Sequence, residues 1–216
     1  MALSKVNFNS LNLTPTASKT VVFNSNNNGI EAGDVGGSLV LISTQTASSS
    51  STISFTSGID STYKEYIFKF IDIHPATDNV QFQFQTDTGT NTNYNQAITS
   101  SYFDAYHDDG TQDDYGLTYR TAYDQAQGTA FQTIAFQVDN GNDGKCDGTL
   151  HLFDPSSTTF VKHFIASSIS KVYTQGYTSN AYCAGYVNTT TALTRVQFKF
   201  SSGNIDSGTI KMYGVT

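Results

Sequence analysis

Apolar and polar residues alternate along most of this chain. In YKEYIFKFIDIH (63–74), Tyr66, Phe68, Phe70 and Asp72 fall on one side, and Ile67, Lys69, Ile71 and Ile73 on the other. That pattern predicts a strand with both faces partly covered. Pro75 closes it, Asp78 and Asn79 turn the chain, and VQFQFQT (80–86) alternates so that Val80, Phe82 and Phe84 share one face. Shorter strands are expected at 38–43 and 52–57, with the Ser/Thr run 43–52 between them as a linker or exposed turn. Others are expected at 97–106, 131–138, 148–153, 158–166, 181–187, 193–200 and 207–214. Gly-Asn, Asp-Gly and Pro-Ser punctuation recurs at intervals of about ten residues, the spacing of sandwiches and jelly rolls. The expected fold is all-β: an antiparallel, jelly-roll-like β-sandwich.

The N-terminal stretch is different. Val6, Phe8, Leu11 and Leu13 alternate weakly with Asn and Ser until Pro15 interrupts them, which predicts an extended arm or edge strand. NSNNNGIEAGDVGG (24–37) is dense in turn formers and is expected to be a surface loop. The expected organisation is an arm and loop over 1–37, followed by one sandwich domain over 38–216.

Composition sharpens this picture. Thr and Ser together supply 54 of 216 residues, Tyr 13 and Phe 15, whereas Glu occurs only as Glu31 and Glu65. Strong helix formers are scarce and β-formers abundant, so a helical protein is excluded. Charged residues are only 13% of the chain and the net charge is -7. No Lys/Arg cluster offers a footprint for phosphates, so no nucleic-acid partner is expected. No apolar run approaches the roughly 20 residues that cross a bilayer, and the first residues lack a secretion-signal pattern, so no membrane partner is expected either. Cys146 and Cys183 are too few for a disulfide framework and read as buried free thiols.

Candidate chemistry is thin. DNGNDGKCDG (139–148) places Asp139 and Asp143 around a Gly-rich turn, the two candidate metal ligands of the chain. The third ligand position is Gly141, and Leu150 stands where the closing Glu of a calcium loop belongs, so a hairpin turn with solvated carboxylates is the better reading. HDDGTQDDYG (107–116) reads the same way. His74, His107, His151 and His163 are scattered, without a G-x-S-x-G elbow or an H-E-x-x-H pair, so neither catalytic residues nor a cofactor is expected. Two Tyr-rich stretches remain: Tyr102, Tyr106, Tyr115, Tyr119 and Tyr123, then Tyr173, Tyr177, Tyr182 and Tyr186. Exposed Tyr serves protein interfaces and sugar stacking alike, and the absence of Trp favours the interface.

Several segments carry a resemblance: GIDSTYKEYIFKFIDIHPATDNVQFQFQTDTGTNTNYNQAITSSYF (58–103), DQAQGTAFQT (124–133), DPSSTTFVKHF (154–164), AGYVNTTTALTRVQFKF (184–200) and SSGNIDSGTIKMYGV (201–215). They resemble a family of virion structural proteins from marine tailed bacteriophages, notably those of cyanobacteria, over about residues 53–216. The closing segments read as a terminal hairpin, with Ile210 and Met212 on one face. The resemblance implies a non-enzymatic virion component, homo-oligomeric, with a trimer suited to threefold junctions, assembled in the host cytoplasm. It would stabilise the head as a capsid decoration or cement protein, contacting the major capsid protein or other virion proteins. The alternative is a tail-fibre tip or tail accessory module that binds a host surface glycan. Partner-binding residues are expected to be Val6, Phe8, Leu11 and Leu13 of the arm, which could add strands to a neighbour, together with Tyr106, Tyr115 and Tyr119.

Overall fold

A computed structural model describes residues 19–23, 30–34, 38–90, 92–110, 114–173 and 176–216. Their regular elements are all strands: β1 (Lys19–Phe23), β2 (Ile30–Asp34), β3 (Leu39–Ser50), β4 (Ile53–Phe55), β5 (Glu65–Pro75), β6 (Val80–Asp87), β7 (Ile98–His107), β8 (Tyr115–Tyr119), β9 (Ala126–Gly128), β10 (Gln132–Val138), β11 (Cys146–Phe153), β12 (Lys162–Lys171), β13 (Thr178–Val187), β14 (Arg195–Phe200) and β15 (Ile205–Val215).

The chain divides into two compact units, Met1–Ser38 and Leu39–Thr216. In the first, β1 and β2 pair antiparallel, with Val21 opposite Ala32. β2 thus lies inside the stretch expected to be loop, and pairing with β1 organises a segment whose own pattern is weak. Val6, Phe8, Leu11 and Leu13 lie outside the described residues.

The second unit is an antiparallel sandwich. One sheet has the order β10-β6-β14-β4; the other runs β3-β15-β5-β11-β12-β13-β7-β8, with β9 on β7. β5 pairs with β15, β6 with β14 and β7 with β13, a nested wrapping of jelly-roll type. The β11–β12 hairpin is inserted between β5 and β13 in the larger sheet. The inner faces meet in an aromatic core. Phe70 on β5 packs on Phe82 on β6 at 5.4 Å between ring centres, Phe84 on Phe164 at 5.0 Å, and Phe68 on Phe198 at 5.6 Å. Val80, Phe82 and Phe84 are all buried on one face, as their alternation requires.

Three expectations change. The Ser/Thr run continues β3 as far as Ser50, an edge strand that among the described residues pairs only with β15, where exposed hydroxyl side chains suffice. β14 and β15 do not form a hairpin: they lie in opposite sheets, and each buries its apolar face, Val196, Phe198 and Phe200 against Ile210 and Met212. In β5 the alternation breaks at Asp72, whose φ of 54° marks a bulge. Asp72 therefore turns outward, and Ile73 rejoins Phe70 in the core. Opposite the bulge, Gly208 has φ 123° and passes so close that a Cβ there would sit 2.6 Å from the Asp72 carbonyl oxygen, so only glycine fits.

Candidate interaction face

The solvent side of the larger sheet is built by strict alternation in β12, β13, β7 and β8. Inward positions are buried residues such as Phe164, Ala181, Cys183 and Tyr102. Outward positions are His163, Ile165, Ser167 and Ile169 on β12, and Asn180, Tyr182, Ala184 and Tyr186 on β13. They continue with Ser101, Phe103, Ala105 and His107 on β7, and Tyr115, Leu117 and Tyr119 on β8. Apart from Lys171, which the same alternation puts outward at the end of β12, none of the outward residues is Asp, Glu, Lys or Arg, in a chain carrying 29 such residues, 11 basic and 18 acidic. Exclusion of charge together with enrichment in aromatics is the compositional mark of an interface centre.

Register arranges these side chains in rows. Ser167, Tyr182, Phe103 and Tyr119 lie opposite one another across four strands, and Ile169, Asn180, Ala105 and Leu117 form the next row. The rings of Phe103 and Tyr182 stack 5.3 Å apart at 17°, and His107 stacks on Tyr115 at 5.6 Å and 14°. Leu117 is 72% exposed and Tyr115 67%, far beyond what a strand-borne apolar side chain needs for packing within its own sheet. β8 is also the edge of the sheet among the described residues, with no further strand paired to it beyond β7. Tyr119 is fixed by a 2.6 Å hydrogen bond from its hydroxyl to Asp124, which also pushes the phenol up from its ordinary value.

Tyr115 and Tyr119 thus come together on this face, whereas Tyr106 does not join them. It points to the other side of β7, half-buried, with its ring 6.0 Å from Tyr177 and beneath the Arg120 guanidinium. Tyr182, from the second Tyr-rich stretch, also belongs to the face, together with Phe103, Leu117, Ile165 and Ile169, which the sequence does not single out. Their signal was an uncharged alternation of large and small residues spread over four strands, legible only once the strands are in register.

At one end of the sandwich the carboxylates are matched to lysines. Lys171 bridges Asp139 at 3.2 Å and Asp143 at 2.7 Å, and Lys145 bridges Asp72 at 2.5 Å and Asp147 at 3.1 Å. The two candidate metal ligands therefore share an ammonium group, and among the described residues no cluster of three His, Cys, Asp or Glu has a geometry suited to a metal ion. Two of the four histidines are held in structural contacts: His151 meets Glu65 at 2.6 Å on the sheet surface, and His74 bonds the Gly141 carbonyl oxygen at 3.1 Å. Burial pushes both thiols up, so neither Cys146 nor Cys183 supplies a thiolate near neutral pH. Beneath the loops, wholly buried Asp104 holds Arg120 through two bonds, Nε to Oδ1 at 2.6 Å and Nη2 to Oδ2 at 3.2 Å. No family model, curated protein or solved structure matches this chain.

Proposed function

We propose that this chain is a non-enzymatic structural protein of a virion, a decoration or cement module that stabilises the head by protein-protein contact. The observation that carries the reading is the aromatic and aliphatic face centred on Phe103, Tyr182, Tyr119 and Leu117, on a sandwich whose candidate metal ligands Asp139 and Asp143 are paired with Lys171. A solvent-exposed surface of that composition is stabilised when a partner covers it, and charge-free rows avoid the desolvation cost that buried ions would impose on contact. The resemblance of residues 53–216 to virion proteins of marine tailed phages supports the same reading, and it brings the major capsid protein and further copies of the chain as partners.

Position in the particle is the test. Heads separated from tails should retain the chain, and a density map of them should seat the β7–β8 side of the larger sheet against a neighbour. Recovery of the chain only with tails would replace this reading by that of a tail module.

A further inference from the structure

Behind β7, on the side away from the interaction face, Tyr106, Arg120, Phe136, Gln137, Val172 and Tyr177 line an open cavity of about 190 Å³. We propose that this cleft binds one neutral sugar ring of a glycan. Its chemistry narrows the ligand step by step.

Arg120 is held in place by Asp104 and by the ring of Phe136, 4.7 Å below its guanidinium. Asp104 takes two of its five N–H groups, which leaves three donors without a partner among the described residues. Gln137 adds an amide that both donates and accepts. An apolar ligand would leave these groups unsatisfied, so the ligand is polar. Its charge is close to zero. Asp104 already neutralises Arg120, and the carboxylates of Asp108 and Asp114 bear on Tyr177 at the rim. The hydrogen bond from the Tyr177 hydroxyl to Asp114, with partial desolvation and the charges of both acids, pushes that phenol up to about 12. A carboxylate or phosphate would be repelled by those acids, and a simple cation, which has no acceptor to offer, would leave the remaining guanidinium N–H groups unsatisfied. What remains is a neutral molecule rich in hydroxyls with an apolar face for the aromatic wall, which describes a hexose. At roughly 30 Å³ for each water displaced, the cavity has room for about six waters, on the scale of one pyranose ring.

Gln137 gives an independent reason. Its φ of 50° puts a residue with a long side chain in the left-handed region, at a break in the register of β10. Such a conformation costs stability that glycine would recover, and it places an amide at the cavity wall.

The full chain should be titrated with the methyl glycosides of glucose, galactose, mannose and N-acetylglucosamine, following backbone amide NMR shifts. One of them should bind saturably, with dissociation constants of the order of millimolar and shifts at Gln137 and Tyr177. Gln137→Gly should weaken binding by about threefold to tenfold without lowering the melting temperature, the effect of one lost hydrogen bond at a strained position. Phe103→Asp, on the opposite side of β7, should bind as the parent does. The proposal is overturned if no glycoside gives saturable shifts, if Gln137→Gly binds equally well, or if acetate, phosphate or an amide-bearing peptide occupies the cleft instead. Because the readout is made on the isolated chain, it is independent of where the chain sits in a particle.

Discussion

Phe103 on β7 and Tyr182 on β13 stack face to face on the solvent side of the sheet, and each keeps about two-fifths of its surface exposed, 39% and 40%. A cross-strand aromatic pair of this kind contributes only about 1 kcal/mol to the fold. Phe103→Asp should therefore leave the melting temperature within a few degrees of the parent while abolishing self-association in sedimentation experiments and attachment to particles. Particles decorated at normal occupancy by this variant would remove the face from the contact surface.

Tyr102 offers the opposite case. Its side chain is fully buried between Tyr123 and Phe136, and its hydroxyl has no hydrogen-bond partner among the described residues. Desolvation pushes this phenol above its ordinary value, and an unpaired buried hydroxyl costs about 1–3 kcal/mol. Tyr102→Phe should raise the denaturant midpoint. A lowered midpoint would mean that the hydroxyl is satisfied in solution.

The loop after β10 should have a pH window set by Lys171. Its hydrogen bond holds Asp143 below the ordinary 3.8, and the bonds from Lys171 to Asp143 and Asp139 hold the ammonium above 10.5. A depressed carboxyl stabilises the fold above its unfolded pKa and loses that contribution as pH falls through its folded value. A raised ammonium contributes fully below its unfolded pKa and loses it as pH rises through its folded value. The pair is thus intact between 3.8 and 10.5 and fades outside that interval at both ends. The difference in denaturant midpoint between the parent and Lys171→Met should be constant across that plateau and vanish in strong acid, and its size should be that of a surface pair.

Both thiols should be silent until the sandwich opens. Cys146 is fully buried beside β5, and Cys183 lies under the interaction face. At about pH 8, a thiol reagent should label neither residue in the native chain on the timescale on which it labels both in guanidinium, and native labelling should follow the unfolding rate. Rapid labelling of one thiol without unfolding would contradict the packing described above.

The fold was legible where alternation was strong. Val80, Phe82 and Phe84 declared one face, and Tyr66, Phe68 and Phe70 another. It was not legible where pairing, not side chains, makes the strand. The Ser-rich end of β3 is a strand because β15 lies beside it, and β8 is one because β7 does. Nor does a two-residue period say which sheet a strand joins. Phe198 and Met212 both read as core, and only the packed sandwich separates them into facing layers. For the same reason Tyr115 and Tyr119 could be found in sequence, but Tyr106, close to them along the chain, could not be assigned to the other side of the sheet until the bulges and register were known.

The nested pairing of β5 with β15, β6 with β14 and β7 with β13 also bears on how the chain reaches its fold. Every one of these ladders joins an early strand to a late one, so loop-closure entropy is met before most contacts form, and folding belongs to the slow, high-contact-order regime of milliseconds to seconds. β15 occupies the position between β3 and β5. During synthesis both of those strands keep an unpaired edge until β15 emerges from the ribosome, and open strand edges of this kind are the ones that invite aggregation.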